Sequence, residues 1–497
     1  MQDKLTLDKL ESWLWESANI LRGRIDSGDY KNYIFGMLFL KRISDVFEEE
    51  CNRIKEEHGE ALMYDEDFHK FLVPDKARWD NIKNTTKDIG AAINKAFEEL
   101  EQENPKLLEG VLTPIDFNNK ERLPDSTLEK LIQHFSKYSL KNKDLEDPDI
   151  LGRAYEYLIN KFADDAGKKG GEFYTPQNVV KLLVEVLDPK PKMRIHDPCC
   201  GSGGMLVYSA EHLIEKNQNP SNLTLTGQEI NLNTWAICKM NMLLHRLYDA
   251  KIVKGDTMEN PKFTEGGELK KYDIVIANPM WNQKNWNKAD FKEMAYDRFH
   301  YGYPPGNSAD WAWIQHMLAS TNRDGKVGVV LDNGVLFRSR SEGKIRKKVL
   351  QNDLIEAVIA LPPNLFYNTS SPGCILILNK NKPEDRKNKV IFIYGEEDYE
   401  ELSNQNKLRK QDIEKIVNTY NNFEDNEKYS RVVDMEEIER NDFNLNVPRY
   451  VDTTEPEEEI DVQEVIDELN EIEEKREDVE REMKGFLEEL GFDLDNK

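Results

Sequence analysis

Four polar positions at the ends of apolar runs in the middle of the chain have types and spacing suited to a nucleotide-like ligand. The first is Asp197, which opens the stretch Asp197-Pro198-Cys199-Cys200-Gly201-Ser202-Gly203-Gly204-Met205. A short apolar lead, residues 193–195, reads as a strand end, and the apolar-periodic run from Met205 to about Glu215 reads as a helix. Glycines between them let the backbone turn tightly and approach a ligand closely. The loop is not the dinucleotide fingerprint G-x-G-x-x-G, and it lacks the Lys-Ser/Thr of a phosphate loop. An acid ahead of the turn suits a cationic or amine-bearing group better than a polyphosphate. Glu229 ends a second strand 25 residues beyond Gly204, where a ribose-binding acid sits in a doubly wound sheet. Asp256 tips a third strand, residues 252–255, placed to contact an adenine amino group. A fourth, nearly all-apolar strand, residues 272–277, runs straight into Asn278-Pro279-Met280-Trp281.

Helical or connecting sequence separates each of these strands from the next, so the sheet they need is mostly parallel, with ligands gathering at the carboxyl ends of its strands. Residues 326–331, 354–361 and 374–378 continue it as fifth, sixth and seventh strands. The fold expected is α/β: an N-terminal helical domain, a Rossmann-like, mostly parallel seven-stranded sheet, and a C-terminal coiled-coil-like helix. Residues 282–307 form a long polar loop bearing aromatics, well beyond the usual ~12–15 residues, and read as a candidate wall of a substrate pocket. Arg338, Arg340, Lys344, Arg346, Lys347 and Lys348 form one basic cluster, either a solvated helix face or a phosphate contact.

Upstream, residues 1–140 read as helical. Leu7, Leu10, Trp13, Leu14, Ala18 and Leu21 share one helix face, and residues 30–47 form a second, strongly apolar helix. A further helix, residues 151–162, leads through a basic glycine loop to Glu172-Phe173-Tyr174-Thr175-Pro176-Gln177, where Thr175 reads as the N-cap and Pro176 as the first position of a helix over 178–187. Downstream, residues 457–490 read as an acidic helix with a seam of Val462, Val465, Leu469, Ile472, Val479, Met483, Phe486 and Leu490, interrupted at Arg476. Such a helix is marginal alone in water and needs a mate. The domains expected are 1–145, 146–400, 401–455 and 456–497.

At 497 residues the chain holds two or three domains, and no apolar run approaches the ~18 residues of a membrane span. The start has no signal-peptide pattern, and five cysteines without CxxC spacing argue for a reduced compartment and against zinc, so the expectation is a cytoplasmic protein. Net charge is −26, of which residues 455–497, with 19 acidic and 5 basic side chains, supply −14. The remainder is still acidic. A chain that bound DNA unaided would carry a basic footprint, so for a DNA substrate a partner must supply most phosphate contacts.

The ordered series Gly171 to Pro176, Asp197 to Met205, Glu229, Asp256 and Asn278 to Trp281 resembles the amino-methylating DNA methyltransferases. It looks most like the modification subunit of type I restriction-modification systems, which makes N6-methyladenine, and the resemblance covers nearly the whole chain. It implies a site-specific DNA adenine N6-methyltransferase within a multisubunit complex, with S-adenosyl-L-methionine as cofactor and no metal. Glu172, Phe173, Tyr174, Thr175, Pro176 and Gln177 would then cover the methionine end of the cofactor. Asp197 would hold its amine through water or the backbone of Gly201, Ser202, Gly203 and Gly204, Glu229 its ribose hydroxyls and Asp256 its adenine amino group. The Asn278 side-chain oxygen and the Pro279 carbonyl would accept both N–H groups of a flipped-out adenine, with Trp281 stacking on the base. The family usually has a second proline followed by Phe or Tyr, where this chain has Met280 and Trp281.

The resemblance also implies partners: DNA, a DNA-sequence-specificity subunit engaged through the C-terminal helix, and a second copy of the chain. A separate ATP-dependent restriction subunit is a further candidate, because the chain has no Gly-x-x-x-x-Gly-Lys-Ser/Thr of its own. The helices containing Leu10 to Trp15 and Tyr33 to Lys41 resemble the family's DNA-clamping domain, and residues 442–450 its junction toward the specificity subunit. Two alternatives stand beside this reading. A protein-glutamine methyltransferase meets the same problem at an amide nitrogen, and an inactive cofactor-binding scaffold would have Met280 as its lesion. A C5-cytosine enzyme is excluded, since Pro198-Cys199 lies in the glycine loop rather than after the fourth strand.

Overall fold

The computed structural model describes residues 4–25, 29–147, 149–166, 174–286, 296–367, 369–402, 405–454 and 462–491. Glu172 and Phe173 lie outside the described residues. The chain divides into two units, Met1–Asp452 and Thr453–Lys497.

Helices come first, as their 3.6-residue periodicity requires. Leu7–Leu21 buries Leu10, Trp13, Leu14, Ala18 and Leu21 on one face. Tyr30–His58 is apolar all round from Ile34 to Leu40, so that stretch is enclosed, and the helix stops at Gly59, whose φ of +92° suits glycine. The Trp13 indole donates to the His134 carbonyl at 3.1 Å, and the His134 ring donates to the Trp13 carbonyl at 2.7 Å. This reciprocal pair ties Leu7–Leu21 to the helix Asp125–Phe135.

The sheet comprises β1 (Arg194–Asp197), β2 (Thr224–Glu229), β3 (Lys251–Lys254), β6 (Tyr272–Ala277), β7 (Thr321–Asp332), β8 (Ile355–Ala360), β9 (Gly373–Asn379), β10 (Lys389–Tyr394) and β11 (Ser430–Asp434), with β4 (Thr264–Glu265) and β5 (Glu268–Leu269) forming a separate small hairpin. Strand order is β11-β10-β8-β9-β7-β6-β1-β2-β3. The pairs β7–β6–β1–β2–β3 are all parallel, β9 runs antiparallel to both its neighbours, and β11 is antiparallel to β10. The mostly parallel sheet is as expected but has nine strands rather than seven among the described residues. The two additions lie beyond a charged connector. The apolar run of β10 is only Val390 to Ile393, and edge strand β11 carries just Val432 and Val433.

Side chains on β6 alternate between two cores. Ile274 and Ile276 pack with the helices Gln177–Leu187 and Gly204–Glu215, whereas Tyr272, Val275 and Ala277 pack with Asp310–Ala319 and Arg340–Gln351. Both sheet faces are therefore covered, which is why β6, β8 and β9 are nearly continuous apolar runs, interrupted by Asp273 in β6 and Glu356 in β8, rather than alternating ones.

In the second unit, Val462–Glu489 is one helix along which Val465, Leu469, Ile472, Val479, Met483 and Phe486 are exposed, as is Leu490 just past its end. The expected residues 457–461 lie outside the described set. No described helix is long and apolar enough to cross a membrane.

Candidate active site

The chain runs outward from β1 to β2 to β3, then crosses back to place β6 on the other side of β1. The crevice at this reversal is where open α/β sheets bind ligands. Because β6, β1, β2 and β3 are parallel, Asn278 follows the end of one strand, Asp197 and Glu229 are the last residues of the next two, and Asp256 lies two positions past the fourth. All four predicted residues thus share the carboxyl edge.

The glycine loop is held by the acids around it. Asp197 accepts the Cys199 N–H at 3.0 Å, Glu229 accepts the Gly201 N–H at 2.9 Å and the Asn231 N–H at 2.8 Å, and the Cys200 N–H reaches the Gln228 carbonyl at 3.0 Å. Gly201 (φ +53°) has open space where a side chain would start. Gly203 (φ +86°) has none, since a Cβ there would meet Met242 Cε at 2.6 Å and Cys238 Sγ at 2.7 Å. Gly203→Ala is therefore expected to destabilise the protein by about 1–3 kcal/mol through overpacking and left-handed strain, read as a lowered urea midpoint.

Burial, added to by the Glu229 charge and opposed by the Cys199 hydrogen bond, pushes the Asp197 carboxyl up to about 8. Asp197 has no ion pair among the described residues. A buried acid in that state favours an incoming cation. Asp256 accepts the Met258 and Glu259 N–H groups at 2.8 and 3.2 Å through one oxygen, capping the turn after β3. Beside Glu229, Ile230 is 63% exposed, an apolar lip suited to a flat ring.

Thr175 does not cap the helix Gln177–Leu187, which begins after Pro176 without a side-chain cap. Its hydroxyl instead accepts from Asn278 Nδ2 at 2.8 Å, because that half-buried amide donor points straight at it. The other end of the Asn278 amide is also fixed, with Oδ1 accepting the Trp281 indole N–H at 3.0 Å. Trp281 is half-buried, edge-on to Phe366 at 4.7 Å, and close enough to Gly373 that a Cβ there would meet its ring at 2.9 Å. The tryptophan thus orients the amide, something a Phe at this place could not do. Pro279 is buried, Met280 is 47% exposed, and Gln177 is exposed at the helix start. The Tyr174 ring lies 5.9 Å from that of Tyr367.

The 282–307 loop is less open than its polar sequence implies, with residues 287–295 outside the described set. The Trp286 indole donates to the Pro305 carbonyl at 2.8 Å and its ring stacks on Tyr303. Buried Arg298 donates to the carbonyls of Thr257 and Met258 at 3.1 and 2.8 Å, pinning the loop to the Asp256 turn. The basic cluster also divides. Arg338 is taken up by Asp310, Asp332 and Glu342 at 2.8, 3.0 and 3.1 Å, and Arg346 by the Phe443, Val335 and Arg338 carbonyls, because acids and uncapped carbonyls lie beneath them. Only Arg340, Lys344, Lys347 and Lys348 remain exposed to meet phosphates.

Two residues that sequence reasoning passed over complete the underside of the loop. Glu156, on the helix Ile150–Ala166, accepts from Asn241 Nδ2 at 2.6 Å, and the same amide reaches the Ser202 carbonyl at 3.0 Å. The available signal was an acid within the otherwise apolar-periodic run 150–162.

A family profile described as N-6 DNA Methylase matches residues 146–459, and one described as HsdM N-terminal domain matches residues 10–135. The chain is 39% identical to the Type I restriction enzyme MjaVIII methylase subunit of Methanocaldococcus jannaschii, over 98% of this chain and 86% of that one. It is 35% identical to the HindI methylase subunit of Haemophilus influenzae, over 78% and 91% respectively. Among solved structures, the type I restriction-modification system methyltransferase subunit from Streptococcus thermophilus superposes with a TM-score of 0.80 at 31% identity, covering 90% of this chain and 100% of that one.

Proposed function

Because the chain belongs to the N-6 DNA methylase family, as a methylase subunit of a type I restriction-modification system, we propose that it transfers the methyl group of S-adenosylmethionine to N6 of an adenine turned out of its duplex. The observation carrying this reading is the row Asn278, Asp197, Glu229 and Asp256 on four adjacent parallel strands at the switch point. The site fits the cofactor chemically. Gly201 leaves room for a close approach, Asp197 lacks a cation, and Ile230 offers an apolar face beside an acid. On this reading Tyr174 to Gln177 and the loop Gly201 to Gly204 hold the methionine end, Glu229 the ribose and Asp256 the adenine amino group. Bound S-adenosylmethionine supplies a methyl already activated on a sulfonium.

The chain's own task is to make a poor nucleophile competent. The lone pair of an aromatic amine is delocalised into its ring, and two hydrogen-bond acceptors on its N–H groups draw the nitrogen toward tetrahedral geometry. Asn278 Oδ1 has two lone pairs, one taken by Trp281, leaving the second for the amine. The Pro279 carbonyl is the other acceptor. Trp281 meets the base with the part of its ring that the Phe366 contact leaves exposed.

Binding a cation beside Asp197 requires its ionised form. With the carboxyl raised to about 8, binding at pH 7 takes up the ligand and releases a proton, so affinity rises with pH, by at most about tenfold per unit, until the carboxyl is ionised near pH 8. Asp197→Asn is expected to bind more weakly and to lose that share of the slope, measured by calorimetry between pH 6 and 9.

Charge supports an assembly. The chain carries −26 overall, so DNA must be gripped mainly by other subunits. The exposed apolar seam of Val462–Glu489 suits a helical partner, which we assign to a DNA-sequence-specificity subunit that recruits a second copy of this chain. The test is to co-express the chain with such a subunit, incubate the complex with cognate DNA and S-adenosylmethionine, and quantify nucleosides by mass spectrometry. N6-methyladenine is expected, and its absence despite bound cofactor would sink the reading.

A further inference from the structure

Glu156 has no place in the roles assigned above, yet it is a fully buried carboxyl beside the loop. The residue is 2% exposed. Its Oε1 is satisfied by Asn241, whereas buried Oε2 makes no well-formed hydrogen bond and has only the Tyr174 hydroxyl nearby. Burial pushes the group up to about 7, with the Asn241 amide and the Tyr174 hydroxyl opposing the shift only in part. A buried carboxylate oxygen left in this state is costly unless a ligand meets it.

Oε2 faces the start of the helix Gly204–Glu215, 4.0 Å from where a Cβ on Gly204 would stand. Glu156 also lines a cavity of about 600 Å³ together with Pro176, Gln177 and Asn160, next to the segment proposed above to hold the methionine end. The start of a helix has backbone N–H groups without intrahelical acceptors and favours an anion. A carboxylate alongside favours a cation. A ligand fragment bearing both charges on neighbouring atoms, the amino-acid end of the cofactor, satisfies the two together.

Resting on the reading that this crevice binds S-adenosylmethionine, we propose that Glu156 is a cofactor-binding residue whose Oε2 receives the α-ammonium group, while the Gly204 helix start faces the α-carboxylate. Asp197, one oxygen of which is engaged with the Cys199 N–H, then acts on the same ammonium at longer range, through its charge and through the loop. The side chain reaches the site from Ile150–Ala166, outside the sheet, so the helical region supplies part of the cofactor pocket.

The test compares S-adenosylhomocysteine with its analogue lacking the α-amino group, titrated into the full chain with its partner subunit. Wild type is expected to prefer the amine by roughly 10–100-fold, the range of a hydrogen bond to a charged group. Glu156→Gln, which keeps the Asn241 contact, is expected to lose most of that preference, whereas Glu156→Asp retains it. An undiminished preference in Glu156→Gln, including the case where both ligands weaken equally, makes the residue merely structural and overturns the proposal. So does a wild type that binds both ligands alike, a result independent of how either variant folds. A wild type that binds neither ligand overturns the cofactor reading itself.

Discussion

Asn278→Ala is expected to lower DNA methylation by about 10²–10³-fold, the usual effect of deleting one preorganised hydrogen-bonding group that acts on the reacting atom. Cofactor affinity should change far less, because the amide touches the cofactor segment only through the Thr175 hydroxyl and meets none of the acids that face the cofactor. The two readouts, methyl incorporation by the assembled complex and calorimetric titration, therefore separate. A loss of both together would mean the amide is a structural strut between the Tyr174 segment and β6. Trp281→Phe is the informative companion. It keeps a ring against Phe366 but removes the indole N–H that orients Oδ1. Losing one neutral hydrogen bond of about 0.5–1.5 kcal/mol predicts a decline of roughly 2–13-fold, far smaller than for Asn278→Ala. An equal decline would move the main role from the amide to the ring.

Arg338→Ala is expected to destabilise the first unit by about 3–5 kcal/mol, because it leaves fully buried Asp310 without its cation. The same guanidinium holds Asp332, Glu342 and the Ser308 hydroxyl, and Asp310 in turn accepts the Asn282 N–H at 2.9 Å, directly after Trp281. Urea unfolding gives the energetic cost. Methylation in the variant at low temperature, where it stays folded, should also fall, since the segment after Trp281 loses its anchor. Arg338→Lys is not expected to rescue, because a single ammonium cannot reach three carboxylates in the fork geometry of a guanidinium. A variant as stable as wild type would show that these acids are hydrated rather than paired.

The carboxyl-edge residues were legible in sequence because each follows a run long or apolar enough to be recognised as a strand, and a parallel sheet then aligns their ends. What escaped was set by tertiary contact. Thr175 has the type and spacing of a helix cap, yet its hydroxyl goes to Asn278, which is 103 positions away. Arg338 and Arg346 look like surface cations in a basic run, but Asp310, Asp332 and the Phe443 carbonyl that engage them come from distant segments. Glu156 carries a visible signal, a charge within an apolar-periodic helix, but the direction of its second oxygen depends on how that helix meets the Gly204 turn. Strand β11 offers only Val432 and Val433 to the eye, whereas β10, with Val390 to Ile393, is as apolar as the strands that were recognised and was passed over because it carries no site residue at its end.

The row of exposed apolar side chains on Val462–Glu489 makes the folding of this segment a matter of supply. A helix that is marginal by itself gains its order from whatever occupies its seam, so its ordered fraction follows mass action on the partner, while the first unit melts at a temperature set by its own core. With the partner assigned above, chains in excess of it are therefore expected to be cut faster within 462–489 than chains in the complex, a difference that limited proteolysis at varied subunit ratios reads.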